Sequence, residues 1–277
     1  MRQLFYFAAL VLAALTSFAA GSGQALAATP PIRVGLFPFH SPQHLIAQKE
    51  PFRRHLEKSL RRAVHLETAP GLEIFMQRLS RGEYDIALLP AHFGRIAQQD
   101  YHWRLVAKYV PDMTVYIVTR KQGGVRSVAE LKGAMIATHD RALLLSMVAD
   151  RWLKKNGLAE NAVEWMETGG LANSVYAVVA GQADAAIASS SSLGLTPQAE
   201  LDQLRVLAEA GAVPQPFVLA NPHMNREALA RLQSACDSFV EDGHKAFTAV
   251  APGDLRILDR YTAEAREQVW GRPKAVD

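Results

Sequence analysis

The sequence predicts an α/β fold of two lobes, each a mainly parallel sheet flanked by helices. Three observations carry this. First, short apolar or β-branched runs alternate with helical patterns along most of the chain, which is the signature of parallel sheets with helices on both faces. Second, one unit occurs twice. In Phe75–Pro90, FMQRLSRGEYDIALLP, a helical apolar pattern stops at Gly82, Asp85 follows three residues later, and the run Ile86–Leu89 comes next. In Val175–Ser190, VYAVVAGQADAAIASS, a helical run stops at Gly181, Asp184 follows at the same spacing, and then Ala-Ala-Ile-Ala. Glycine is the residue that most easily takes the left-handed conformation ending a helix. Third, the length of 277 residues, with 49% apolar and 21% charged residues, suffices for two lobes of ordinary size.

Taken in order, Ile32–Phe37 (IRVGLF) reads as the first strand. Pro38–Pro42 is a loop in which Ser41 suits a helix cap and Pro42 the first helical position. That helix runs to about Leu60. His65–Thr68 is a second strand, the opening repeat supplies a helix and the strand Asp85–Leu89, and a helix near His92–Gln99 precedes a strand at Leu105–Tyr109. Met113–Arg120 (MTVYIVTR) alternates and is β-branched, hence a strand. Ser127 and Glu130 form a capping-box pattern over a short helix to Leu131. Ala134–Thr138 is a strand, followed by a helix from about Arg141 to Asn156 and a strand at Val163–Glu167. The second repeat follows, ending in a strand at Ala185–Ala188 and a polar loop at Ser189–Ser192. Leu204–Ala208 and Phe217–Ala220 are strands. The remainder reads as helical, broken at Gly243 and at Pro252-Gly253.

Composition excludes several functions. A formal charge of +3 with scattered Lys and Arg does not suit nucleic acid. The nine His include no pair with metal-ligand spacing among carboxylates or Cys, so no metal and no cofactor is expected. There is no nucleophile elbow and no hydrolase-type carboxylate pair, so no catalytic residue is expected. The first 27 residues read as an export signal: Arg2, the apolar run Leu4–Phe18, and the small-x-small site Ala25-Leu26-Ala27, with a mature chain from Ala28. The single cysteine, Cys236, rules out an internal disulfide and a lipid anchor just after the signal. It lies in a helical pattern and suits a buried apolar position.

Four segments together carry a family resemblance: Ile32–Pro38 followed by Ser41-Pro42; APGLEIFMQRL ending in Gly-Glu-Tyr-Asp-Ile-Ala; VYIVTRKQGGVRSVAELKGAMIA; and GGLANSVYAVVAGQADAAI. With them the chain resembles the PhnD-like (phosphate/phosphite/phosphonate) substrate-binding proteins of ABC transporters. The resemblance implies a type II periplasmic binding fold with two crossover segments and a ligand in the cleft between the lobes. Residues 28–112 and 213–277 would build the first lobe and 113–212 the second. It implies a periplasmic protein that serves a membrane permease, the alternative being a sensor for a membrane histidine kinase.

The ligand positions of that family differ here. Its Asp-Pro-x-Ser-Thr-Ser-Gly, whose hydroxyls hold phosphonate oxygens, reads Asp140-Arg141-Ala142-Leu143-Leu144-Leu145-Ser146. Its Gly-His reads Gly170-Leu171, its Tyr after Ala-Pro-Asp falls on Leu72, and an acidic residue falls near Ser191. A dianion needs several donors in a dry site, so a less polar ligand, or an altered donor set, is expected. Strand ends supply the candidate contacts: Phe39, His40 and Ser41; Leu72; His92; Asp112 and Thr114; Thr138, Asp140, Arg141, Leu143 and Leu144; Leu171 and Asn173; Ser190 and Ser191. Several have plainer alternatives. Ser41 and Asp140 suit helix caps, and His40 and His92 suit solvent. Arg141 either sits in a first helical turn or turns its charge into the cleft. The triplet Leu143–Leu145 cannot share one helix face, so at least one leucine should reach the cleft or the hinge.

Overall fold

Two mixed sheets carry the fold. The protein is described from a computed structural model covering residues 29–38 and 41–270. The expected export signal with its cleavage site after Ala27, and the candidates Phe39 and His40, lie outside the described residues. Residues from Pro31 onward form one compact unit.

The first sheet holds β1 (Ile32–Leu36), β2 (Val64–Glu67), β3 (Ile86–Leu89), β4 (Arg104–Tyr109), β10 (Phe217–Ala220) and β13 (Phe247–Thr248), in the order β13-β4-β10-β3-β1-β2. The second holds β5 (Met113–Arg120), β6 (Met135–Thr138), β7 (Glu164–Glu167), β8 (Ala185–Ser189) and β9 (Leu204–Val213), in the order β7-β6-β8-β5-β9. The helices are α1 (Pro42–Leu60), α2 (Leu72–Ser80), α3 (Ala91–Tyr101), α4 (Leu144–Lys155), α5 (Leu171–Val179), α6 (Ser190–Gly194), α7 (Gln198–Leu201), α8 (Arg226–Ser238), α9 (Pro252–Leu258) and α10 (Thr262–Trp270). Strands β3, β8 and β10 are buried at every residue, as strands covered on both faces must be.

The repeated unit does the same work in both sheets. Gly82 and Gly181 end α2 and α5 with φ of 68° and 76°. Three residues on, the N–H of Asp85 donates to the Arg33 carbonyl and its Oδ2 accepts from the Arg33 N–H, both at 2.8 Å. Asp184 makes the same reciprocal pair with Met135, both bonds at 2.9 Å. Each aspartate thus closes the entry of one strand onto its parallel neighbour and sets the register there.

The two sheets are joined by two crossovers that run side by side. β4 passes into β5 through residues 110–112, and β9 passes into β10 through residues 214–216. They pair antiparallel on either side of the junction, Lys108 opposite Phe217 and Met113 opposite Val213. Each crossover therefore delivers one reversed strand into the sheet it enters: β5 between β8 and β9, and β10 between β3 and β4. A buried ion pair braces the junction. Lys108 Nζ lies 2.8 Å from Asp112 and 2.9 Å from Asp254 at the start of α9. Burial alone would lower the lysine pKa, but the two carboxylates outweigh it and hold the ammonium charged. Asp112, a candidate contact by sequence, is engaged here rather than in the cleft.

Three expectations are corrected. The helix after β6 begins at Leu144, not near Arg141, because Asp140–Leu143 form a turn and Leu143 is extended at ψ 144°. Ser189–Ser192 is not a loop. Ser189 ends β8 and caps α6 in a reciprocal capping box with Ser192. The chain after β10 is not all helical: β11 (Val240–Glu241) and β12 (His244–Lys245) form a hairpin across Gly243, and β13 joins the first sheet. Cys236 is buried in α8, and burial pushes its thiol up to about 12.

The two aspartates should be interchangeable in their effect. Asp85→Ala and Asp184→Ala each remove the acceptor of one strand-entry N–H, and each should lower stability by about 1–3 kcal/mol in urea unfolding.

Candidate ligand cleft

A cavity of about 490 Å³ opens where the two sheets meet. Its walls come from strand ends and crossovers. Leu36 ends β1 and Phe37 follows it; Pro90, Ala91 and His92 follow β3; Tyr109 ends β4, Val110 lies in the first crossover and Met113 begins β5. On the other side stand Leu143, Leu144 and Leu145 after β6, Leu171 and Ala172 at the start of α5, Ser191 and Ser192 after β8, and Pro214–Pro216 of the second crossover. Ligands in open α/β sheets bind at such carboxyl ends, where helices begin and their N–H groups point outward.

The cavity is mostly apolar. All three leucines of the triplet line it, because Leu143 is extended while Leu144 and Leu145 open α4. They are 5–7% exposed and belong to one hydrophobic cluster that also holds Phe37, Phe75 and Phe93 of the other half. Phe37 stacks on Phe93 with ring centroids 5.5 Å apart. That apolar continuity holds the two halves together across the cleft.

One polar contact also bridges it. His92, fully buried on α3, lies 3.1 Å through Nε2 from the Ala142 carbonyl. A carbonyl only accepts, so Nε2 carries the proton. Burial lowers the imidazole pKa to about 4, with the Ala142 bond opposing it, so the ring is neutral and Nδ1 is a lone-pair acceptor with no partner. The expectation of a surface histidine is corrected.

The hydroxyls near the second sheet's strand ends are engaged internally. Thr138 Oγ1 meets Ser146 Oγ at 2.6 Å, and Ser146 Oγ lies 2.7 Å from the Asp140 carbonyl. Thr168 and Ser174 bond each other at 2.8 Å. Ser192 Oγ bonds the backbone of Ser189.

Of the sequence candidates, His92, Leu143, Leu144, Leu171 and Ser191 line the cavity. The other described candidates lie outside its lining. Ser41 precedes α1 without a side-chain cap bond. Leu72 packs on the core. The Thr114 N–H donates to Ser190 Oγ at 3.2 Å, tying β5 to α6. Asp140 Oδ1 accepts from the Ala142 N–H at 2.7 Å in the turn. Asn173 donates to the Thr168 carbonyl. Arg141 is exposed over the Trp165 ring at 5.2 Å, outside the cavity. Lys49, Tyr109, Gln215 and Glu241 line the cavity instead and were not anticipated. Lys49 lies mid-helix in α1, where a lysine ordinarily faces water. Tyr109 was legible as a strand end, the one available signal.

The comparisons agree with this architecture. The family described as "ABC transporter, phosphonate, periplasmic substrate-binding protein" matches residues 34–264. The chain belongs to that family. Among solved structures, a binding protein component of an ABC phosphonate transporter from Pseudomonas aeruginosa is 17% identical, with a TM-score of 0.71, covering 89% of this chain and 91% of that one. PhnD1 from Prochlorococcus marinus in complex with methylphosphonate is 12% identical, with a TM-score of 0.73 over 85% and 98%. A Xanthomonas citri protein bound to ATP is 15% identical, with a TM-score of 0.71 over 87% and 100%. At these identities the likeness is one of fold: the type II periplasmic binding fold, as the sequence predicted. No curated protein sequence matches this chain. As a family member it is a periplasmic solute-binding component of an ABC transporter. Among the described residues, no helix is long and apolar enough to cross a membrane.

His92 makes stability depend on pH. An ordinary histidine titrates near 6.5 and this one at about 4, so the unfolded chain binds more protons between those values. Its contribution is complete above about 6.5, falls as pH drops toward 4, and totals on the order of 3 kcal/mol. Urea unfolding of the protein and of His92→Gln between pH 4 and pH 7 should show a steeper decline for the histidine form.

Proposed function

We propose that the chain is an exported receptor that closes its cleft on a small organic solute with a largely apolar body and delivers it to a membrane permease. The leucine wall carries this reading. Where the family resemblance leads one to expect oxygen-binding hydroxyls, Leu143, Leu144 and Leu145 face the cavity, and Thr138, Ser146, Thr168 and Ser174 already have partners inside their own half. A buried dianion with few donors is strongly unfavourable. Apolar solute surface placed against these leucines gains roughly 25 cal/mol per Å².

On this reading residues 28–112 with 213–277 and residues 113–212 act as two jaws. The paired crossovers are their hinge. The mature chain starts at Ala28 without a lipid anchor, and no residue is assigned a catalytic role. Permease and ATPase genes beside this one support the transport role; an adjacent histidine-kinase gene, with no permease, supports the sensor alternative instead.

Thermal-shift measurements on the mature protein test the ligand class. Saturating phosphate and methylphosphonate should leave the melting temperature unchanged. A ligand that does bind, present at a hundred times its dissociation constant, adds about 2.7 kcal/mol. A strong methylphosphonate shift overturns the reading.

A further inference from the structure

This inference rests on the apolar reading of the cleft and names the head group it takes. One lysine lines the cavity: Lys49, on α1. Its Nζ lies 4.4 Å from the centroid of the Tyr109 ring at the end of β4, a cation–π contact that helps to place the ammonium. It makes no ion pair among the described residues. Burial lowers its pKa, and the charge of Glu241, which also lines the cavity, acts in the opposite direction.

The other acidic group in the lining is differently placed. Glu200 accepts a hydrogen bond from the Tyr176 hydroxyl at 2.7 Å. Arg141 stands over Trp165 and contributes no charge to the cavity. His92 is neutral, and its Nε2–H is taken by the Ala142 carbonyl. The lining therefore sets one lysine and two carboxylates, Glu200 and Glu241, with His139 also on the wall, beside the leucines; Glu200 is engaged by Tyr176, and neither carboxylate forms an ion pair with Lys49 among the described residues.

We propose that Lys49 holds the head of an amphipathic solute carrying a single negative charge, a monocarboxylate in the simplest case, whose apolar chain lies along Leu143, Leu144, Leu145 and Leu171. A single negative charge can pair locally with the Lys49 ammonium, which has no ion-pair partner among the described residues. A dianion would meet Glu241 with only one positive partner. A neutral head would leave a partly desolvated ammonium without a counter-charge, and an amine would meet it directly.

Octanoate, octan-1-ol and octylamine, matched in chain length, separate these possibilities by calorimetric titration of the mature protein. Octanoate should bind roughly tenfold or more tightly than octan-1-ol, the range of a charge-assisted contact. Lys49→Met keeps an unbranched helix-forming side chain and should abolish that preference. Lys49→Glu should turn the preference toward octylamine, and circular dichroism confirms that both variants fold. Equal binding of octanoate and octan-1-ol, or an octanoate preference that survives Lys49→Met, overturns the head-group assignment while the apolar cleft stands. Methylphosphonate binding with no binding of either octanoate or octan-1-ol overturns the apolar reading itself.

Discussion

Two antiparallel crossovers are the constraint from which the site follows. Because β4 runs directly into β5 and β9 directly into β10, the carboxyl ends of both sheets are brought face to face. Much of what lines the cavity then comes from the few residues at or after a strand end or in a crossover, with α1 and the β11–β12 hairpin adding Lys49 and Glu241. This is why Phe37, His92, Tyr109, Leu143 and Ser191, far apart in sequence, share one space. The register on either side of the junction, with Lys108 opposite Phe217 and Met113 opposite Val213, leaves only short unpaired stretches between. Lys108 draws Asp112 and the C-terminal helix α9 onto that junction. The C-terminal helices also reach both halves. Arg95 and Arg266 pair with Asp259 and Asp100, binding α9 and α10 to α3. Arg151 of α4 donates to the Arg260 carbonyl and lies over Tyr261.

The chemistry of the cleft is decided by what its polar groups already do. A hydroxyl can hold a ligand oxygen only if its own hydrogen is free. Thr138, Ser146, Thr168, Ser174 and Ser192 are close to strand ends, yet each has a partner within 3.0 Å in its own half. The two leucines that open α4 and the one that caps it complete the change. The strand tips and helix starts converge on one cavity, where these five hydroxyls are engaged within their own half and three leucines line the wall.

Much of the fold was legible because it rests on local rules. The Gly-x-x-Asp units were visible as spacing, and their meaning is a pair of backbone hydrogen bonds that needs only a glycine turn and a carboxylate. The apolar runs of β3, β8 and β10 mark buried strands by composition alone. The hairpin β11–β12 was not legible, since two-residue strands leave no periodicity. The start of α4 was misplaced because Asp140 looks like a cap. Its carboxylate instead accepts from Ala142 in a turn, and the helix begins after a leucine, a residue with no capping signal. The site was less legible than the fold. Lys49 sits within a helix whose neighbours are charged or polar, and only the docking of α1 against Tyr109 turns it toward the cavity. Arg141 was a reasonable choice of cation by position, but Trp165 in β7 offers it a ring on the outer side.

His92 shows how an apolar cleft can still be specific. Its Nε2–H is tied to Ala142 in the turn that precedes the leucine triplet, so the imidazole joins the two halves at the point where the apolar wall begins. A protonated ring there would introduce a second cation into the cleft and favour a more highly charged guest. Burial keeps it neutral. The neutral histidine and the leucine wall thus act in the same direction, and Lys49 stands with Glu241 and Glu200 as the charged side chains beside them.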